Sequence, residues 1–150
     1  MNLGIVGSEA DRFSPAMEEE ARIIIARSIL DYCPDSVISG GCHLGGVDIW
    51  AAEIGRALGC PVVEHFPTVL KWGAAGGFRD RNLRIAKHSD LVIVVAPSGY
   101  ISTYNGKRFN GCRHCATARP AHVRSGGCWT AMRCARSAWE IIPVTERGQK

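Results

Sequence analysis

Two groups of residues in this sequence have types and spacings that can do chemistry. The first is a set of glycine turns: Gly7-Ser8, the stretch Gly40 to Gly46 that follows Ser39, and Ser125-Gly126-Gly127. Glycine lets backbone N–H groups face an anion, and a helix opening at such a turn adds the positive end of its dipole. A single turn of this kind is explained by strand-to-helix reversal alone. Two double-glycine turns, around Gly40-Gly41 and Gly126-Gly127, each opening a helix, favour phosphate binding. The hydroxyls of Ser8 and Ser39 can donate to phosphate. Neither has a base close in sequence, so neither reads as a nucleophile. Asp48 falls in the first turn of the helix after Gly46, where a carboxylate caps backbone donors or takes a sugar hydroxyl and repels phosphate.

The second group is Cys112-Arg113-His114-Cys115, with six residues between Cys115 and His122 and five between His122 and Cys128. Two thiolates in a C-x-x-C turn, an imidazole and a third thiolate make a tetrahedral set for structural zinc. His114 can replace His122, and Cys134 can replace Cys128. The alternatives are that Cys128 and Cys134 are small packing residues, or that the C-x-x-C is a redox pair. No acid lies near in sequence, which argues against a catalytic zinc.

These residues need a frame. The chain has 150 residues, the size of one domain. Leu3–Val6 reads as a buried first strand. Ser14-Pro15 reads as an N-cap with proline at the first helical position. The apolar period Met17, Ala21, Ile24, Ile25 carries that helix to about Asp31. Ser36–Ser39 is a second strand, and Val47, Trp50, Ala51, Ile54 and Leu58 stripe a second helix stopped by Gly59. Pro61–His65 is a third strand, residues 66 to 77 a long loop, and Arg79–His88 a third helix. Leu91–Val95 is an uninterrupted apolar strand of the kind found inside parallel sheets. Ser98–Arg124 reads as an irregular basic insertion, Trp129–Ala138 as the last helix, and Glu140–Val144 as the final strand. The alternation predicts an α/β, Rossmann-like, doubly wound and mostly parallel five-stranded sheet. It forms a single domain, with a Cys/His-containing insertion, residues 98 to 124, before the last helix. The glycine turns then fall at the carboxyl edge of the sheet, where ligands bind in open α/β folds.

Charge is unevenly spread. The formal net charge is +4, yet Leu91 to Trp139 holds no Asp or Glu while carrying Lys107, Arg108, Arg113, Arg119, Arg124, Arg133 and Arg136. That bias is either a solvated basic surface or the footprint of an anionic partner. No apolar run approaches the ~20 residues that a bilayer requires. No secretion signal is recognised, and the seven cysteines are odd in number, so they read as reduced or metal-bound thiols and the protein as cytoplasmic. His43 inside the glycine turn can hydrogen-bond a ligand, His65 ends a strand at the binding edge, and His88 is expected to face solvent. Trp50 reads as core, whereas Trp72 and Trp129 lie beside glycines where they can stack on a base.

Ser39-Gly40-Gly41, Gly45-Gly46-Val47-Asp48 and the Ala-rich Trp50-Ala51-Ala52-Glu53 resemble the YspA-like branch of the SLOG superfamily. That superfamily also contains the lonely-guy phosphoribohydrolases and the DprA DNA-uptake proteins. Ala75-Gly76 followed by Arg81-Asn82, with Asp90 nine residues after Arg81, agrees with the branch's next mark. Gly126-Gly127-Cys128-Trp129-Thr130 occupies its last turn. The resemblance spans about residues 1 to 97 and 125 to 144. It implies a nucleotide or nucleotide-derived phosphorylated ligand, bound or sensed, with Arg81 in direct contact and Asn82 and Thr130 beside it. Two departures stand out: Trp129 replaces a glycine, and Arg133 occupies the position of the phosphoribohydrolases' catalytic Glu. An arginine cannot act as a base at neutral pH, and it suits a phosphate contact instead. A phosphoribohydrolase-like N-glycosidic hydrolase is therefore the alternative reading, one needing a carboxylate from Asp48, Glu53, Glu64 or a second subunit. Nucleic-acid binding, as in the DprA relatives, ranks third. Relatives of this fold often dimerise, so a homo-oligomer is expected.

Overall fold

The computed structural model describes residues 1–97, 101–104, 107–110 and 139–144. Element order runs β1 (Asn2–Gly7), a one-turn 3₁₀ helix (Ala10–Arg12), α1 (Pro15–Tyr32), β2 (Ser36–Ser39), α2 (Val47–Ala57), β3 (Val62–Glu64), α3 (Phe78–His88), β4 (Leu91–Pro97), β5 (Ile101–Tyr104), β6 (Lys107–Asn110) and β7 (Trp139–Val144). Five strands form one sheet in the order β3-β2-β1-β4-β7, and every pairing is parallel. The expected five-stranded, doubly wound α/β sheet is therefore present.

Strand alternation explains why β4 is apolar throughout. Leu91, Ile93 and Val95 join Leu3, Ile5 and Val37 in a core with Ala21 and Ile25 of α1 and Val47, Trp50 and Ala51 of α2. Val92 and Val94 turn the other way, joining Val6, Ile38, Ile85 and Ala86 against α3. With both faces covered, no position in the strand is left for a polar side chain. Trp50 belongs to the first core, 4% exposed, with the Phe13 ring edge-on to it at 5.1 Å.

The helices start and stop as local chemistry dictates. Ser14 Oγ accepts from the Met17 N–H at 3.2 Å, and Pro15 opens α1. Cys33 ends it in the left-handed region at φ 44°, its N–H donating to the Ile29 carbonyl. At the start of α2, Gly46 has φ 90°, and a Cβ there would collide with the Ser8 carbonyl oxygen and the Ala10 nitrogen. That close approach lets the Val47 N–H donate to Ser8 O at 3.1 Å, tying the turn after β2 to the turn after β1.

One expectation needs correcting. The start of the segment 98–124 was expected to be irregular. Instead β5 and β6 pair antiparallel as a two-stranded sheet, with Ile101 opposite Asn110 and Tyr104 opposite Lys107. Three of the four residues of Ile101-Ser102-Thr103-Tyr104 are β-branched or aromatic and carry that signal, which the surrounding glycine and basic residues mask. The expected last helix lies outside the described residues. So do Gly126, Gly127, Thr130 and Arg133, and the zinc candidates Cys112, His114, Cys115, His122, Cys128 and Cys134. Among the described residues no helix is long and apolar enough to cross a membrane.

Gly46→Ala and Gly59→Ala should separate steric from conformational cost. Gly59 has φ 75° but open space around it, so alanine there should cost only about 1–2 kcal/mol. Gly46→Ala adds a collision with backbone, and should lower the urea midpoint well beyond the Gly59 variant. Equal losses would show that the α2 turn can shift to make room.

Candidate functional site

The sheet order reverses at β1: the chain winds outward through β2 and β3, then α3 crosses back to place β4 on the other side of β1. In such folds the crevice at the carboxyl ends of the strands is left open. A cavity of about 240 Å³ occupies that place here. Val6, Gly7 and Glu9 line it from the end of β1, and Cys42, His43 and Leu44 from the turn after β2. Asp48 enters from α2, Phe78, Arg81 and Asn82 from α3, and Trp72 from the long loop.

Beneath the cavity lies a buried ionic contact. Arg81 is 6% exposed and Asp48 7%. Arg81 Nη1 lies 3.7 Å from Asp48 Oδ2 and donates to the Gly40 carbonyl at 2.5 Å. Arg81 Nε donates to Asn82 Oδ1 at 2.8 Å, and the guanidinium lies 5.4 Å from the centre of the Phe78 ring. The reason for glycine at position 40 follows: a Cβ would stand 2.6 Å from both Arg81 Nη1 and Asp48 Oδ2. Ser39, fully buried, donates its hydroxyl to the Asp48 carbonyl oxygen at 2.6 Å. It braces α2 from inside and does not face the cavity.

Asp48 Oδ1 closes no hydrogen bond of ordinary geometry among the described residues, although the Gly7 N–H lies near enough to favour the ionised carboxylate. Burial outweighs both that N–H and Arg81, with Glu64 adding to it, and pushes the Asp48 carboxyl up to about 6. The half-buried Cys42 thiol is also pushed up, chiefly by burial, so it stays protonated and is not an activated nucleophile. His43 stacks on Phe78 with ring centres 6.0 Å apart and planes 22° apart, and both line the cavity.

Of the residues singled out in the sequence, Gly7, Asp48, Arg81 and Asn82 meet at this cavity, with Gly40 packed beneath and Trp72 and His43 on its walls. Ser8 is buried, its N–H donating to Val95 O at 3.3 Å. The Phe66 ring packs against Gly41. Asp90 is elsewhere: its carboxylate accepts from the Asn2 N–H at 2.7 Å, at the amino edge of the sheet, and secures the start of β1. Of the three carboxylates weighed for catalysis, Glu53 pairs with Arg22 at 3.3 Å and Glu64 with Arg56 at 3.0 Å. Only Asp48 lines the cavity. His88 is exposed, as expected, and its Nδ1 lies 3.1 Å from His65 Nε2. Burial, then His88, Arg84 and Arg81, push the His65 imidazole down, which keeps it neutral. Glu9, Leu44 and Phe78 were not singled out. Phe78 directly after Gly76-Gly77 was the one signal available, an aromatic at a glycine-opened helix start. Among the described residues no cluster of three or more His, Cys, Asp or Glu could hold a metal ion.

The architecture is similar to that in the X-ray structure of DNA processing protein A (DprA) from Streptococcus pneumoniae. The TM-score is 0.51 at 16% sequence identity, over 93% of this chain and 50% of that one. The chain spans half the length of that neighbour, and the likeness is one of fold. No protein-family model matches the sequence, and no curated protein does.

The Asp48 carboxyl gives a pH test. Its ordinary value is 3.8, so the folded chain, at about 6, holds the proton more tightly than the unfolded chain. That stability is complete below the unfolded value and is lost as pH rises through about 6. Urea denaturation should show wild-type stability falling by on the order of 1 kcal/mol from about pH 5 to pH 7, a component that Asp48→Asn lacks. Parallel profiles for the two proteins would mean that Asp48 titrates normally.

Proposed function

We propose that this protein binds or senses a nucleotide or nucleotide-derived phosphorylated ligand at the carboxyl edge of its sheet. The observation that carries the reading is the cavity at the switch point, walled by Trp72, Phe78 and His43 and floored by the buried Arg81–Asp48 contact. Flat aromatic walls with a few fixed polar groups are what a small-molecule site needs. The motif resemblance supports the same ligand class and the YspA-like branch. In that reading the Gly126-Gly127 turn, Thr130 and Arg133 supply the phosphate contacts.

A second reading has one observation in its favour. A carboxyl raised to about 6 beside a cavity has the property of a general acid. Asp48 could then protonate a leaving base, and turnover would fall as pH rises above about 6. Binding without turnover remains the main proposal, because Arg133 stands where the hydrolases carry their catalytic Glu.

Nucleoside monophosphates should raise the melting temperature with saturable concentration dependence. At 100 times Kd the stabilisation should reach about 2.7 kcal/mol. Chromatography of the same mixtures should show no released base. Base release lost in Asp48→Asn would select the hydrolase. Failure of every monophosphate, alongside DNA binding that weakens steeply with salt, would select the nucleic-acid reading.

The zinc proposal rests on the spacing of Cys112, Cys115, His122 and Cys128 alone. Elemental analysis should then find zinc in the purified chain, lost when Cys112 and Cys115 are both changed to Ser. Metal-free wild-type protein would end it.

A further inference from the structure

We propose that Cys33 and Cys60 form a modification site: a thiol pair that closes to a reversible disulfide by exchange with a low-molecular-weight disulfide. It stands apart from the nucleotide reading, and its failure leaves that reading untouched.

The place is a cleft of about 280 Å³ at the amino edge of the sheet, away from the crevice. It opens between two helix-to-strand turns, Cys33-Pro34 after α1 and Gly59-Cys60-Pro61 after α2. These turns lie side by side because β2 and β3 pair in parallel, and the Val37 N–H donates to the Pro61 carbonyl at 2.9 Å. Ile29, Leu30 and Leu58 complete the lining. Among the described residues no charged side chain, hydroxyl or imidazole lines the cleft, so the chemistry open to it is that of its two thiols.

The half-buried Cys60 thiol donates to the Pro34 carbonyl at 3.6 Å, the backbone group next after Cys33. Cys33 is exposed; its thiol donates to the Leu30 carbonyl at 3.1 Å. Sulfur is a weak donor, so neither contact holds its thiol firmly. A disulfide needs Cα atoms within ~4.4–6.8 Å of each other. Cys60 already reaches the residue bonded to Cys33, and Cys33 caps the end of α1, where a helix frays and the chain can close the remaining gap. Cys42, by contrast, lines the crevice at the other edge, where no second thiol joins it among the described residues.

Exposure sets the order of events. The Cys33 thiolate attacks one sulfur of the small disulfide, whose S–S bond breaks and releases one thiolate. The Cys60 thiolate then attacks the Cys33 sulfur of the mixed disulfide and releases the second. Two protein thiols are oxidised, one small disulfide is reduced to two thiols, and the two cysteine protons pass to them. The new bond joins the ends of the segment that holds β2, the Gly40–Gly46 turn and α2.

Oxidised glutathione is the probe, applied to the native full chain and to Cys60→Ser at about pH 8. After alkylation of the remaining thiols, a protease that cuts at aspartate parts Cys33, Cys42 and Cys60 from one another at Asp35 and Asp48. Mass spectrometry of the wild type should find the Cys33 and Cys60 peptides joined, about 2 Da lighter than the two free peptides together, and separated by a reductant. Cys42 should be alkylated. In Cys60→Ser the exchange should stop at a glutathione adduct on Cys33, which accumulates there and not in the wild type. If Cys60→Ser does not fold, the wild-type map decides alone. A wild type that keeps the Cys33 adduct, joins Cys33 to another cysteine or another chain, or closes the pair only in urea overturns the proposal. So does a wild type in which neither thiol reacts.

Discussion

A guanidinium that is 6% exposed must be neutralised where it sits, because an isolated charge taken out of water costs far more than a fold of this size can spare. Arg81 meets that demand with the Asp48 carboxylate, the Gly40 carbonyl and Asn82. Three elements are thereby tied at one point: the end of β2, the start of α2 and the first turns of α3. Glycine at position 40 is a consequence of that contact, and so is the bond from Ser39 to the Asp48 carbonyl. The turn after β2 has its shape because a buried ion pair lies under it.

The same contact shapes the chemistry above it. Arg81 holds α3 close enough for Phe78 and His43 to stack, while its own charge is turned inward. Among the described residues Asp48 is left short of partners: Oδ1 closes no hydrogen bond of ordinary geometry, the Gly7 N–H only partly offsets burial, and its proton affinity is raised. A buried pair in which the acid is only partly compensated is a costly arrangement for a structural brace.

Much of the frame was readable from residue order. The alternation of apolar strands and amphipathic helices located the five strands of the sheet, and Ser14-Pro15 marked the start of α1 to the residue. The β5–β6 hairpin was missed because its strands are four residues each and lie among basic and glycine residues that read as loop. The site was readable in part. Glycine turns and Arg81 pointed to the carboxyl edge, where a cavity lies, but sequence spacing cannot say which way a side chain turns. Arg81 lines the cavity, as a ligand contact requires, and its polar atoms also meet Gly40, Asn82 and Asp48. Ser39 was expected to donate outward and donates to the backbone of α2. Asp90, which fits the motif spacing, secures the opposite edge. Phe78, His43 and Glu9 came together only when the 66–77 loop brought the start of α3 opposite the turns after β1 and β2. That is long-range packing, which no local pattern carries.

The central claim is that the cavity at the β1 switch point is where a nucleotide-type ligand sits. The most direct measurement is the difference density of a crystal soaked in adenosine monophosphate. The account predicts density for the soaked nucleotide inside this cavity, in contact with the Trp72, Phe78 and Arg81 side chains that line it. Density lodged elsewhere on the molecule, with this cavity holding only water, would contradict it.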